Sequence, residues 1–247
     1  MKKLTIITIN YNNCDGLKKT VQSVVPQLNQ EIEFIIIDGG SIDGSVDLIK
    51  ANEKYIDVWV SEKDNGIYDA QNKGIAKARG AYCLFLNSGD YLYQMNTVKK
   101  VMPFLSNFDI IYGNMKIDNG QQFLDGYMPK VLSFEHMMND TLWHPVSFIR
   151  RQLFSEYGFY DTNYKVCADY DFFFKMITVK KVSCFYIDEF ISVFDLKGIS
   201  SDEKNKQIIA AERKIIQFSY LSEKQINKFH KQIVLKNRLQ RIKKWFQ

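Results

Sequence analysis

Within residues 1–90, four short apolar runs each stop abruptly in a polar cluster, and a stretch with helical spacing separates each run from the next. Residues 4–9 run into Asn10-Tyr11-Asn12-Asn13, and residues 34–37 into Asp38-Gly39-Gly40-Ser41-Ile42-Asp43-Gly44-Ser45. Residues 57–60 lead to Ser61-Glu62-Lys63-Asp64-Asn65-Gly66, and residues 82–86 to Asn87-Ser88-Gly89-Asp90. Such runs, rich in β-branched and aromatic side chains, read as buried strands. Between them, Leu17, Val21, Val24, Val25 and Leu28 fall on one helical face, as do Val46, Leu48 and Ile49, and residues 67–78 make a third helix. Asp15 is a fair N-cap for the first helix, and Gly80 the closing glycine of the third. Strand and helix in alternation predict a mostly parallel sheet with right-handed crossovers. Its carboxyl-end loops then face one crevice, where open α/β sheets place their ligands. Asp90 is delivered to that crevice, and an acid there suits a hard divalent cation that neutralises phosphate oxygens. Asn, Ser, Gly and Asp also favour ordinary turns, so this cluster alone decides nothing.

The second half is less regular. Residues 97–105 are helical in pattern despite Pro103, residues 108–112 form a strand, and Asp118-Asn119-Gly120 is a hairpin signal. Ser133 caps a short helix running to residue 138, residues 146–149 are a strand, and a helix begins near Arg151. An amphipathic helix over 169–179 precedes a last core strand over 182–187, and helices over 202–220 and 222–246 finish the chain. With no repeat, linker or low-complexity tract, the economical division is a catalytic domain over 1–200 and a helical tail over 201–247.

At 247 residues, with 46% hydrophobic and 25% charged side chains, the composition is that of a soluble globular protein. The net charge of +5 comes from the tail, where Lys and Arg outnumber acids from Lys204 onward. Cys14, Cys83, Cys167 and Cys184 are scattered, which argues for a reducing compartment and against a zinc site or disulfide framework. No signal peptide fits the start, and no run approaches the roughly 18 apolar residues of a spanning helix. The expected location is cytoplasmic, soluble or peripheral on the inner face of the membrane. Neither G-x-G-x-x-G after the first strand nor a P-loop occurs, which argues against a dehydrogenase or P-loop NTPase.

Taken in order, the polar clusters are more specific than any one of them. Thr8-Ile9-Asn10-Tyr11-Asn12, residues 37–45, Asp64-Asn65-Gly66-Ile67-Tyr68-Asp69-Ala70-Gln71-Asn72-Lys73-Gly74, Asn87-Ser88-Gly89-Asp90 and Ala168-Asp169-Tyr170-Asp171 form one set. This set resembles inverting glycosyltransferases of family 2, which have a GT-A fold and use nucleotide-diphosphate sugars. The likeness spans residues 1–195 and is closest to bacterial enzymes of capsule, O-antigen and exopolysaccharide assembly.

The resemblance implies a UDP-sugar or other nucleotide-diphospho-sugar donor, a glycan or lipid-linked saccharide acceptor, and Mg²⁺ or Mn²⁺. Thr8, Asn10, Tyr11 and Asn12 would line the nucleotide pocket. Asp38 would accept a hydrogen bond from the base, while Gly40 and Asp43 shape the loop beside base and ribose. Asp64 and Asn72 would border the ribose and diphosphate. Asp90 stands where the last acid of the family's metal motif belongs, with Asn87 and Ser88 beside it. Asp169 would be the general base, supported by Asp171. The family usually has another acid one or two places before Asp90; here those places hold Ser88 and Gly89. A single carboxylate, with diphosphate oxygens and water, can still hold the cation.

Plainer readings stand beside these. Asp169 also fits a helix N-cap. His144 resembles a family position near diphosphate or acceptor, and fits a structural histidine equally. Arg150 and Arg151 suit phosphate or solvent, and Phe172, Phe173 and Phe174 suit core packing better than a sugar platform, because a helix turns them to different faces. In the tail, Lys224, Lys228, Lys231, Lys236, Arg238, Arg241, Lys243 and Lys244 interleave with Ile226, Phe229, Ile233, Val234, Leu239, Ile242, Trp245 and Phe246. Such a basic amphipathic helix suits an anionic membrane surface, its own domain, or a second subunit in a homodimer. No motif supports nucleic-acid binding. Two rival functions are a sugar-nucleotide nucleotidyltransferase, which would carry a Gly-rich basic loop after the first strand, and a non-catalytic nucleotide-sugar-binding protein, which would have lost Asp90 or Asp169.

Overall fold

Seven consecutive residues without an exposed side chain, Leu4–Asn10, form β1 and set the plane of the sheet. The computed structural model describes residues 2–196, 198 and 202–245, with backbone alone for 234 and 236–245. After β1 come α1 (Cys14–Val24), β2 (Ile32–Asp38), α2 (Ser45–Ala51), β3 (Val58–Ser61), α3 (Ile67–Lys77) and β4 (Tyr82–Phe85). β2 and β4 are as fully buried as β1, as strands covered on both faces must be.

The cap of α1 is Asn13 rather than Asp15: its side chain accepts from the Gly16 N–H. Gly80 does not close α3 in the left-handed conformation. A Cβ there would lie 2.5 Å from the backbone nitrogen of Thr5, so this glycine lets the chain after α3 press onto β1.

The second half contributes β5 (Tyr91–Leu92), α4 (Thr97–Val101), β6 (Ile110–Asp118), β7 (Phe123–Gly126), α5 (Phe134–Asn139), β8 (Ser147–Arg150), α6 (Gln152–Tyr157) and α7 (Ala168–Phe174). A π-helical turn, Lys175–Lys180, extends α7. Last come β9 (Cys184–Asp195), α8 (Lys206–Tyr220) and α9 (Glu223–Trp245). Among the described residues the sheet runs β3-β2-β1-β4-β8-β6-β9-β5, with β7 hairpinned onto β6. It is parallel from β3 to β4 and mixed beyond, since β8 pairs antiparallel with both β4 and β6. β9 outruns the expected end at residue 187. It follows β6 in parallel, with register shifts around Asn114, as far as Asp118↔Asp195.

Register aligns the polar ends: Asn10 faces Asp38, and Asp38 faces Ser61. β2 and β3 lie to one side of β1 and β4 to the other, so connections diverge between β1 and β4. A crevice opens at such a switch point.

The expected boundary near residue 200 does not separate two cores. Ile216 of α8 is fully buried in the common core, and Phe229 of α9 packs edge-on against Phe134 at 5.7 Å. Ile226 is also buried, whereas Leu235 is exposed. The side chains of Val234, Lys236, Arg238, Leu239, Arg241, Ile242, Lys243, Lys244 and Trp245, and all of Phe246, lie outside the described residues. No described helix is long and apolar enough to cross a membrane, and all four cysteines are unpaired.

Candidate active site

Beyond the ends of β1 and β4 lies a cavity of about 740 Å³. Of the residues that the sequence singles out, Asn10, Tyr11, Asp64, Asn87, Ser88, Asp90, His144 and Asp169 all line it. Asp90 and Asp169 therefore share one space, although they arrive on different elements.

Asp90 sits in a turn that only its sequence permits. Gly89 has φ +109°, a left-handed conformation favouring glycine. The Thr20 hydroxyl donates to the Asp90 carbonyl (2.7 Å) and accepts from the Gly89 N–H (3.2 Å). Asp90 is 4% exposed, and its Oδ1 accepts from the backbone N–H of Asp195 at 3.0 Å. A Cβ on Gly89 would come within 3.3 Å of Asp195 Oδ2, so the same glycine lets the Asp195 carboxylate approach. Burial pushes the Asp90 carboxyl up to about 7; His144 and the Asp195 N–H pull it down, and the Asp195 charge adds to the rise.

These two carboxylates make an all-oxygen donor set, which fits Mg²⁺ or Mn²⁺. Among the described residues no group of three His, Cys, Asp or Glu side chains could hold a metal. Asp195 brings a second carboxylate to the turn that holds Ser88 and Gly89. Sequence reading missed it because Asp188-Glu189 interrupt the apolar run that would have carried the last strand to its true end.

On the opposite wall, Asp169 lies in the first turn of α7 rather than capping it; Cys167 holds the cap position and provides no side-chain bond. Asp169 Oδ1 accepts from the Tyr170 N–H at 2.8 Å and lies 3.0 Å from the Tyr68 hydroxyl. Burial, reinforced by the Asp169 charge, raises Tyr68 well above the usual phenol range, so it stays a donor. Asp169 Oδ2 lies 3.4 Å from His144 Nδ1, while His144 Nε2 lies 3.3 Å from the Asn87 amide nitrogen. An amide N–H donating to Nε2 selects the Nδ1–H tautomer, which then donates to Asp169. His144 thereby links the turn at Asp90 to the carboxylate of Asp169.

Several assigned residues do not reach the cavity. Asp38 is fully buried and saturated: Asn10 (2.7 Å), both Ser41 groups (2.6 and 2.9 Å), Ser61 (2.6 Å) and the Gly40 N–H (3.2 Å) all donate to it. Burial pushes its carboxyl up, but the Ser41, Ser61 and Asn10 bonds outweigh this and hold it below the ordinary carboxylate range. It has no lone pair left for a base, and instead fixes Asn10 at the cavity edge. Thr8 is buried within β1, its hydroxyl unpartnered among the described residues. Asn12, at φ +46°, ties its loop to the next through Ser41 and Ile42. Gly40, at φ +82°, belongs to that second loop, and Asp43 staples it to the Cys14 N–H at 2.8 Å.

Asn72 clasps both backbone groups of Tyr160 (2.8 and 3.0 Å) and is not among the residues that line the cavity. Arg150 pairs with Asp109 at 3.0 Å and with the carbonyls of Ser106 and Phe108. Asp171 faces α8, where the Tyr220 hydroxyl donates to it at 2.9 Å; two residues along a helix point away from each other, so it does not support Asp169. Phe172, Phe173 and Phe174 are all core.

Other cavity residues were given no role of their own in the sequence reading. Asn13 donates to the Ser88 carbonyl (2.9 Å), and Gln71 to Asn87 Oδ1 (3.2 Å). Trp143, and Ile209 with Arg213 from the tail helix, complete the wall. Arg213 is the sole Lys or Arg among the described lining residues.

Comparison with known proteins fits this geometry. Residues 5–181 match the family described as glycosyl transferase family 2. An uncharacterized glycosyltransferase of Mycobacterium tuberculosis (strain H37Rv) is 30% identical over 223 residues, 86% of this chain and 82% of that one. TuaG of Bacillus subtilis (strain 168), a glycosyltransferase named for teichuronic acid biosynthesis, is 34% identical over 148 residues, 56% of this chain and 58% of its own. Among solved structures, Staphylococcus aureus TarS 1–349 in complex with UDP-GlcNAc superposes with a TM-score of 0.70 at 17% identity, over 92% of this chain and 70% of that one. Against the UDP complex of the same protein the chain spans 60% of its length. At that identity the likeness speaks for the GT-A fold alone. Fold, cavity and family match agree: this chain is a glycosyltransferase and belongs to glycosyl transferase family 2.

Proposed function

We propose that the protein transfers a sugar, with inversion, from a UDP-sugar or related nucleotide-diphosphate donor to a hydroxyl of a glycan or lipid-linked saccharide in surface polysaccharide synthesis. The observation that carries this reading is the shared cavity, in which the Asp90–Asp195 pair faces the Asp169–His144 pair. TuaG supports the polymer class by its name, and the UDP-GlcNAc bound by TarS is in keeping with a uridine donor.

In this reading Asn10, Tyr11 and Asp64 take the nucleotide side. Asp90 and Asp195 would hold Mg²⁺ or Mn²⁺, which when bound would supply positive charge to a departing diphosphate. Asp169 Oδ2 takes the proton of the acceptor hydroxyl, while the Tyr170 N–H donates to Oδ1 and fixes the plane of the carboxylate. His144 keeps that carboxylate in register with Asn87 and so with the donor turn. A positioned base of this kind contributes about 10²–10⁴-fold.

The test is a screen of UDP-, GDP- and dTDP-sugars with Mn²⁺, following the nucleotide released. Nucleoside diphosphate is the expected product. Monophosphate or pyrophosphate would assign a different chemistry and favour the nucleotidyltransferase.

A further inference from the structure

We propose that Glu212, on the tail helix α8, is a positioning residue for Asp169, so that α8 belongs to the catalytic centre. The proposal rests on the sugar-transfer reading above. Residues 165–167 lead into α7, which carries Asp169 at its second position and lacks a side-chain cap of its own. Their amides are taken up instead by one distant carboxylate. Glu212 Oε1 accepts from the Lys165 N–H at 2.7 Å; Oε2 accepts from Val166 at 3.0 Å and Cys167 at 2.9 Å. Three donors on one carboxylate satisfy the amides of the segment just ahead of the helix and tie that segment to α8.

The fixed segment is coupled to the base through a second path. The Val166 carbonyl accepts from the same Tyr68 hydroxyl that lies 3.0 Å from Asp169 Oδ1. Glu212 thus governs both the start of the helix bearing Asp169 and the height of its phenolic partner. The rest of that face of α8 continues the grip. The Arg213 guanidinium lies 4.3 Å from the Tyr170 ring centre and donates to the Asp140 carbonyl at 2.6 Å. Gln217 donates to the Tyr170 hydroxyl at 2.9 Å, and Tyr220 to Asp171. The residue next to the base and the residue after that are therefore both held from α8, which lies beyond the family match ending at residue 181.

The experiment compares full-length wild type, Glu212→Ala and the isosteric Glu212→Gln in donor turnover with Mn²⁺, UDP binding by calorimetry, and amide hydrogen exchange. In Glu212→Ala, kcat falls by about 10- to 100-fold, as for a catalytic group displaced by a fraction of an ångström. Glu212→Gln, which keeps one carbonyl acceptor, falls less. Donor KM stays within about twofold, UDP affinity is unchanged, the acid limb of the kcat–pH profile moves, and exchange at 165–167 accelerates. Should Glu212→Ala fail to fold, Glu212→Gln decides alone. Wild-type kcat, pH profile and exchange in a folded variant overturn the proposal, as does a kcat loss matched by an equal loss of UDP binding. If the wild type turns over no nucleotide-sugar while the variant still loses protection at 165–167, the sugar-transfer reading fails and the grip itself stands.

Discussion

The backbone N–H of Asp195 donates to Oδ1 of Asp90 at 3.0 Å, across 105 residues of chain. This bond brings the end of β9 to the turn after β4, and with it a second carboxylate. If both acids hold the cation, Asp195→Asn lowers Mn²⁺ affinity in the presence of UDP by at least about tenfold, and Asp90→Asn by more. Calorimetry or Mn²⁺ electron paramagnetic resonance reads this without turnover. Unchanged affinity in Asp195→Asn would leave Asp90 as the single protein ligand.

Asp169→Asn keeps the geometry and removes the base, so transfer falls by about 10²–10⁴-fold while UDP binding is retained. His144→Ala releases the link between Asn87 and Asp169 and lowers kcat by about tenfold or more through lost orientation. Substantial residual turnover in Asp169→Asn would remove it from the role.

Asp171 separates position from motif. Facing Tyr220 instead of the cavity, it predicts that Asp171→Asn, which keeps an amide oxygen to accept from the Tyr220 hydroxyl, retains its activity. Burial raises its carboxyl above the ordinary 3.8, against the Tyr220 hydrogen bond. A raised folded value favours the neutral form, so its stabilising share is full below 3.8 and is lost as pH rises through the folded value. Urea midpoints followed from pH 3.5 upward should therefore drop in wild type relative to Asp171→Asn. A parallel course in both proteins would reject the assignment.

Gly80→Ala tests the close approach of two backbones. The added methyl meets Thr5 and Leu4 main-chain atoms that cannot rotate away, so the variant loses about 1–3 kcal/mol. A midpoint equal to that of wild type would show that the chain yields there.

For the tail, flotation of full-length protein with anionic liposomes compared with a variant truncated after Ile233 separates the two readings. The truncation spares Ile226 and Phe229, which pack on the domain. Lost flotation places the basic remainder on lipid, where each basic side chain contributes about 1 kcal/mol; equal flotation assigns it to protein.

The first half of the fold was legible because buried parallel strands announce themselves as apolar runs closed by polar turns, and Asp90 lay in one of those turns, whereas Asp169 was singled out through the family resemblance. What escaped was set by tertiary contact. Asp38 reads like a ligand-facing acid, yet Asn10, Ser41 and Ser61 consume its lone pairs. Asp195 ends a strand whose continuation past Asp188-Glu189 depends on β6 beside it. Nothing local marks Glu212 among the charges of a solvent-washed helix, since its partners are backbone amides some 45 residues earlier.

The grip of α8 on α7 also reaches back along the chain. Every described strand of the sheet precedes Glu212 and Tyr220 in the chain. If Glu212 positions Asp169 as proposed, a chain ending before α8 would hold every strand of the sheet but neither the carboxylate that takes the amides of residues 165–167 nor Ile216 of the core.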